Sequence, residues 1–515
     1  MDRITRRDFL RTTALGLGVS GVRGLAAGME RGGKVPNLLI IHTDEHNFRT
    51  LGCYRETLPP EQAFMWGKDA VVETPNIDWL ARNGALCTKF YGTTPVCSPS
   101  RASFVSGLYP HNTNVSRNDR PMYDSVVTFA EILRRAGYAT GYAGKWHLDG
   151  PGKPQWAPER KFGFEDNRYM FNRGHWKQFE DTPQGPRVKG RRKKDDKPTY
   201  DVKGADAESF ATDWLTDRAL SFIKTNKAKP FCYMLSIPDP HGPDTVRAPY
   251  DTMYAGMAFE KPRTYEKGGP GIPDWAAPQT KTGYSQRHYY GMVKCIDDNV
   301  GRILGCLREN DLQANTIVVF TSDHGDMRGE HHRRNKGVPL EASAKVPFIV
   351  YYPARIKAGT RVSQALGTVD FLPTILALMG VSTAGKEEGR DASALFTGGT
   401  VPADWRDLTF VRGTAKRVGE NWLAAFTSRY KLIVSPRNPP WLLDLQADPD
   451  ELKNFCFEPG YRDTVRRLAR ALVGYGEKHG DPRAREMKIA ADLAWCIEGT
   501  GAYAVSVGER GPCGK

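Results

Sequence analysis

The chain has 515 residues, 40% of them hydrophobic and 26% charged, and a formal net charge of +14 at pH 7. That length exceeds one small core and suits a large α/β domain with an appendage, or two to three domains; the composition excludes a chain disordered through most of its length. No apolar run approaches the roughly 18 residues that span a bilayer, so no stable membrane insertion is expected, and nine cysteines without a Cys-x-x-Cys pair exclude a zinc ribbon or thioredoxin-type centre.

The first 27 residues differ from the rest. Thr5-Arg6-Arg7-Asp8-Phe9-Leu10-Arg11 precedes a Gly-rich apolar stretch from Thr12 to Gly21, and Leu25-Ala26-Ala27 offers small residues for cleavage. The pattern is that of a twin-arginine signal peptide, read by the twin-arginine export machinery, which places the mature protein in the periplasm or outside the cell. Gly16, Gly18, Gly21 and Gly24 argue against an ordinary helix here, each costing about 1 kcal/mol relative to Ala. Cleavage removes five arginines and two aspartates, lowering the charge from +14 to +11. A protein that basic suits an anionic substrate or surface. No nucleic-acid-binding signature accompanies the charge, so no nucleic-acid partner is expected.

Further along, short apolar runs end abruptly in polar residues, as buried strands do. Residues 35–41 run into His42-Thr43-Asp44-Glu45, and 139–143 into Gly144-Lys145-Trp146-His147. Residues 231–237 run into Pro238-Asp239-Pro240-His241, and 316–320 into Thr321-Ser322-Asp323-His324. Helical patterns lie between them, at 125–136 with Ser125 as a cap and Gly137 as a stop, and at 289–307. After about residue 390, strands at 422–426, 430–434 and 441–445 precede an amphipathic helix at 461–475, and the Gly-rich tail from Gly499 reads as irregular. The expected fold is α/β: a large, mostly parallel or mixed sheet sandwiched by helices, with a smaller C-terminal antiparallel sheet plus helix. The expected division is a signal peptide at 1–27, a catalytic domain at 34–390, and a C-terminal α+β subdomain and tail at 391–515.

In open α/β sheets, ligands bind beyond the carboxyl ends of the strands. Loops from separate strands therefore can bring Asp44, Glu45, Lys145, His147, His241, Asp323 and His324 into one crevice. Cys97-Ser98-Pro99-Ser100-Arg101 lies between a Thr-Pro turn and a helical-looking segment at 102–106, where backbone dipoles favour an anion. Cys-x-Pro-Ser-Arg, continued through Ala102-Ser103-Phe104-Val105-Ser106-Gly107-Leu108-Tyr109-Pro110-His111, resembles the type I sulfatases of the alkaline-phosphatase superfamily. The likeness runs from Asn37 to about Asn454. It includes Thr74-Pro75-Asn76-Ile77-Asp78, Gly144-Lys145-Trp146-His147, and Leu443-Asp444-Leu445 followed by Asp448-Pro449 and Glu451.

The resemblance implies a sulfuric ester hydrolase with an alkaline-phosphatase-like fold, in which a maturation enzyme converts Cys97 to formylglycine. One hydroxyl of the hydrated aldehyde attacks sulfur and expels the alcohol; the second loses its proton, the carbonyl reforms and sulfate leaves. It also implies a metal site at Asp44, Glu45, Asp323 and His324, beside residue 97, with Ca²⁺ expected and Mg²⁺ or another divalent ion the alternative. Glu45 stands where the family more often has Asp, and His324 where Asn is common. Arg101 and Lys145 then hold the formylglycine region and Lys336 reaches the sulfate, while His241 is the general acid and His147 the base. Gly329-Glu330-His331 matches a family segment that supports the metal loop. Export, charge and family habit point to a sulfated polysaccharide or oligosaccharide as substrate. The alternatives are a phosphonate or phosphate monoester hydrolase, and a non-catalytic protein that binds sulfated glycan. Residues 187–197, with Arg191-Arg192-Lys193-Lys194, read as a solvated loop or as a rim that gathers a polyanionic glycan.

Overall fold

The computed structural model describes residues 35–499 and Tyr503, apart from 267–271, 280–283, 384 and 415–420. The expected signal peptide and all but one residue of the tail after Gly499 lie outside the described residues. An eight-stranded sheet forms from β1 (Asn37–Asp44), β2 (Ala85–Cys87), β3 (Ala139–Lys145), β4 (Asp166–Phe171), β5 (Phe231–Pro240), β6 (Thr316–Ser322), β7 (Phe348–Tyr351) and β8 (Thr360–Val362). Their order across the sheet is β8-β2-β7-β6-β1-β5-β3-β4. The pairs joining β6, β1, β5, β3 and β4 are all parallel, whereas β7 runs antiparallel to β6 and β2.

Every residue of β1 is buried, because helices cover both faces of the sheet. Alternate side chains enter different cores. Leu38 and Ile40 pack with Phe104, Phe129 and Phe371, and Leu39 and Ile41 with Leu80, Leu215 and Val300. The covering helices are α1 (Pro75–Asn83), α2 (Cys97–Ser106), α3 (Phe129–Arg135), α4 (Ala211–Asn226), α5 (Gln286–Glu309) and α6 (Phe371–Met379). The three that the sequence suggested all start elsewhere than expected, α5 at Gln286 rather than at 289. Helix α2 starts at Cys97 rather than near Ala102. Helix α3 starts after Thr128, whose side chain accepts a hydrogen bond from the Glu131 amide, so this cap replaces Ser125.

The C-terminal part is a four-stranded antiparallel sheet, β9 (Thr409–Arg412), β10 (Leu423–Phe426), β11 (Tyr430–Val434) and β12 (Trp441–Asp444), followed by α7 (Arg462–His479) and α8 (Met487–Glu498). Strand β9 and helix α8 add to the three strands and one helix expected. One face of this sheet packs on α7 through Leu423, Leu432 and Leu442 against Val465, Leu468 and Leu472. The other face, with Ala424, Phe426 and Ile433, packs on Met327, Val338 and Leu340. The small sheet thus backs the loop that carries Lys336. No helix among the described residues is long and apolar enough to cross a membrane.

Gly144 has φ +106, and a Cβ there would lie 1.8 Å from the Ser236 carbonyl oxygen on neighbouring β5. Both the backbone and the space demand glycine. Gly144→Ala is expected to destabilise the protein by about 3 kcal/mol or more, read as a lower denaturation midpoint, because β3 and β5 must separate to admit the methyl.

Candidate active site

Four adjacent parallel strands, β6, β1, β5 and β3, deliver the chemistry at their carboxyl ends. Asp323 and His324 follow β6, Asp44 ends β1 with Glu45 after it, His241 follows β5, and Lys145 ends β3 with His147 two residues on. Glu45 and His147 both have positive φ, 62° and 61°. Such conformations are uncommon for non-glycine residues and bend each chain sharply as it leaves its strand.

Cys97 is the first residue of α2, where N–H groups lack helical partners. Its Sγ lies 3.2 Å from His324 Nε2 and 3.8 Å from Asp44 Oδ1. Ligand atoms of Asp44, Cys97, Asp323 and His324 all lie within 4.8 Å of one another, and all four residues are buried. Arg101, one turn along the same helix, ties the strand ends together. Its Nε donates to Asp323 Oδ2 at 2.8 Å, and its Nη1 donates to the Lys145 carbonyl and to Ser236 Oγ, each at 2.7 Å. Nη2 stands 3.5 Å from Asp44 Oδ2, to which the Lys145 ammonium also donates.

A second group adjoins the first. The Lys336 ammonium donates to Glu45 Oε2 at 2.9 Å and lies 2.7 Å from His241 Nε2, which is itself 2.8 Å from that carboxylate oxygen. The second oxygen, Glu45 Oε1, is buried without a hydrogen-bond partner among the described residues. The Lys336 loop is fixed from two sides. Asp326 accepts from the amides of Arg328 and Asn335 at 3.1 and 2.8 Å, and Trp422 of the C-terminal sheet donates its Nε1–H to the Gly337 carbonyl at 3.2 Å. His147 Nε2 stands 3.5 Å from Asp119.

Charge is balanced inside this buried cluster rather than by solvent. Burial and the neighbouring Cys97 push the Asp44 carboxyl up, but Lys145, His241 and Arg101 hold it well below the usual carboxylate range. Burial likewise raises the Cys97 thiol, yet Lys145, Lys336 and His324 outweigh it and hold the thiol well below its ordinary value. Burial lowers the basicity of His241, but Glu45 together with Asp44 and Cys97 outweighs it, and the imidazole ends at about 10. The cluster is therefore built to hold an anion at residue 97, against fixed cations.

A family model described as Sulfatase matches residues 36–381. The chain belongs to the sulfatase family. A second model, N-sulphoglucosamine sulphohydrolase, C-terminal, matches residues 329–478 of the sulfatase. An ulvan-active sulfatase of Formosa agariphila is 29% identical over 448 residues, covering 84% of this chain and 79% of its own. An N-acetylglucosamine-6-O-sulfatase of Bacteroides thetaiotaomicron is 25% identical over 543 residues, 88% of each chain. A solved structure of a protein in complex with its substrate D-glucosamine-2-N,6-O-disulfate shares the fold, with a TM-score of 0.71 and 23% identity, covering 88% of the sulfatase and all of that chain.

The structure of the sulfatase adds residues that the sequence reading passed over. His175 stacks on His241 with ring centroids 3.4 Å apart, and its Nε2 accepts from the Lys145 ammonium at 2.8 Å. Lys177, fully buried, donates to Asp239 Oδ1 at 2.6 Å and to the His241 carbonyl at 3.2 Å. Both follow β4, a strand missed because Asp166, Asn167 and Arg168 interrupt its apolar pattern. Had β4 been recognised, the rule that strand carboxyl ends carry the chemistry would have pointed to His175. Glu330 of the Gly329-Glu330-His331 segment pairs with Arg49 at 3.0 Å, and His332 stacks on Tyr265. In the basic run, Arg187, Arg191 and Arg192 pair with Glu180, Asp196 and Asp195, so part of its charge is answered locally.

Proposed function

We propose that the sulfatase removes sulfate from a sulfated polysaccharide or oligosaccharide, with Cys97 converted to formylglycine and a divalent cation beside it. The observation that carries this reading is the position of Cys97 Sγ, buried between two potential ligands, His324 and Asp44, in a cluster that also holds Lys145, Lys336 and Arg101. In this reading the thiol stands in for the nucleophilic oxygen of hydrated formylglycine.

The donor set fits a cation. Asp44, Asp323 and His324 converge, and Glu45 Oε1 is a buried anionic oxygen with no hydrogen-bond partner among the described residues. These four residues would hold it; the predominance of oxygen favours Ca²⁺, with Mg²⁺ or another divalent ion the alternative that the His324 nitrogen leaves open. When bound, the cation would lower the pKa of the nucleophile and offset charge on the sulfate oxygens. The protein's own groups divide the remaining work. Arg101 keeps Asp44 and Asp323 aimed, Lys145 and Lys336 supply positive charge where negative charge develops, His241 delivers a proton to the leaving oxygen, and His147 takes one from the second hydroxyl.

The carbohydrate assignment is supported by the basic charge and by the relatives, whose names specify ulvan and N-acetylglucosamine 6-sulfate. It is tested by following sulfate release from a panel of sulfated sugars alongside matched sulfate and phosphate esters. A higher kcat/KM for the phosphate ester, or no release from any sugar, would overturn it. Replacing Arg191, Arg192, Lys193 and Lys194 by neutral residues is expected to raise KM for a polymeric sulfated substrate several-fold and leave KM for a small aryl sulfate unchanged. Export through the twin-arginine route predicts that Arg6→Lys with Arg7→Lys retains the protein in the cytoplasm, as cell fractionation would show.

A further inference from the structure

His241 is held in its ring plane by named partners. Its Nδ1 lies 2.8 Å from the Gly242 carbonyl and its Nε2 lies 2.8 Å from Glu45 Oε2. Contacts at the ring edge do little to oppose tilting of the ring out of its own plane. His175 lies flat against one face of the ring, with centroids 3.4 Å apart and 7° between the planes, and so opposes tilting toward that side.

His175 is itself anchored. The Lys145 ammonium donates to its Nε2 at 2.8 Å, and Asp44 Oδ2 lies 3.8 Å away. Gly174, at φ +123, turns the chain sharply just before it, where a Cβ would strike the Trp176 ring at 2.4 Å. Two residues on, Lys177 grips the His241 carbonyl and the Asp239 carboxylate. One short segment after β4 therefore fixes His241 at both its backbone and its ring.

We propose that His175 is a positioning residue of the sulfatase reaction, its ring holding the His241 imidazole in the plane from which it protonates the leaving oxygen. This deepens the reading of His241 as proton donor and rests on it. Protonation matters most for a poor leaving group, so the signature is dependence on the leaving group rather than a uniform loss.

The test uses the mature, formylglycine-containing protein and aryl sulfates graded from 4-nitrophenyl to 4-methoxyphenyl sulfate. His175→Ala is expected to lower kcat on the 4-methoxyphenyl ester about 30-fold and on the 4-nitrophenyl ester less than about threefold. His175→Phe, which keeps a flat ring against His241, is expected to recover most of the loss, whereas His175→Gln, which keeps only an acceptor for Lys145, is not. The double variant His175→Ala with His241→Ala should lose no more than His241→Ala alone. Equal losses on both esters, or rescue by Gln and not by Phe, would overturn the inference. Should His175→Ala fold poorly, the Phe and Gln pair decides by itself. If His241→Ala loses both esters equally, its role as donor fails. If His241→Ala shows the dependence and His175→Ala does not, only the role of His175 fails.

Discussion

Cys97→Ala is expected to lower kcat on every sulfate ester by at least about 10⁴-fold while leaving the fold intact. Alanine fits the first turn of α2 without strain, and removing one buried thiol leaves a small cavity that costs about 1–2 kcal/mol. The surrounding ions keep their own partners: Arg101 stays with Asp323 and Asp44, and Lys336 with Glu45. Catalysis, in contrast, loses the atom that sits beside His324 and Asp44 in this cluster. The check is sulfate release measured beside a thermal melt, together with the mass of the tryptic peptide spanning residues 90–101 in the parent protein. That peptide should carry an aldehyde at position 97 after co-expression with a maturation enzyme. A persistent thiol in an active preparation would refute the formylglycine reading.

Removal of divalent metal by a chelator is expected to lower activity by more than about 100-fold, with recovery on adding Ca²⁺ back. Asp44, Asp323, His324 and Glu45 are buried, and a ligand bound only by the folded state raises stability in proportion to the logarithm of its free concentration. Tm should therefore climb with calcium in the parent protein. Asp323→Asn is expected to abolish that climb, because it removes a ligand charge and also the Arg101 pair at 2.8 Å. The chelated protein should remain folded, since Lys145 and Arg101 already compensate Asp44, and Lys336 compensates Glu45. If Tm is indifferent to Ca²⁺ and to Mg²⁺, and activity survives chelation, the cation site is refuted.

Much of this arrangement was legible before any coordinates. Strands covered on both faces must be apolar through their length, so β1, β5 and β6 announce themselves as runs that end abruptly. The residues that follow are polar because the chain there leaves the core for the crevice. The run from Cys97 to His111 carried the family resemblance, and the position of Cys97 in it marked that residue as the nucleophile candidate. Legibility failed where local signals competed or cancelled. Ser125 looked like a cap, but Thr128 accepts the Glu131 amide and starts α3 three residues later. Strand β9 is short, and helix α8 was lost beside a Gly-rich tail.

The sequence by itself determined the nucleophile candidate, the α/β class, and the four strand ends that bear Asp44, Lys145, His241 and Asp323, because periodicity, strand ends and a contiguous motif are local properties. Only the tertiary structure decided how these groups pair. Arg101 spans Asp323, Asp44, Ser236 and the Lys145 carbonyl, Lys336 reaches Glu45 from 291 residues away, and Trp422 of the C-terminal sheet holds the Lys336 loop. His175 belongs to this second kind. A histidine four residues past an unpromising strand has no local mark, and it gains meaning only when sheet order sets β4 beside β3 and brings its ring against that of His241.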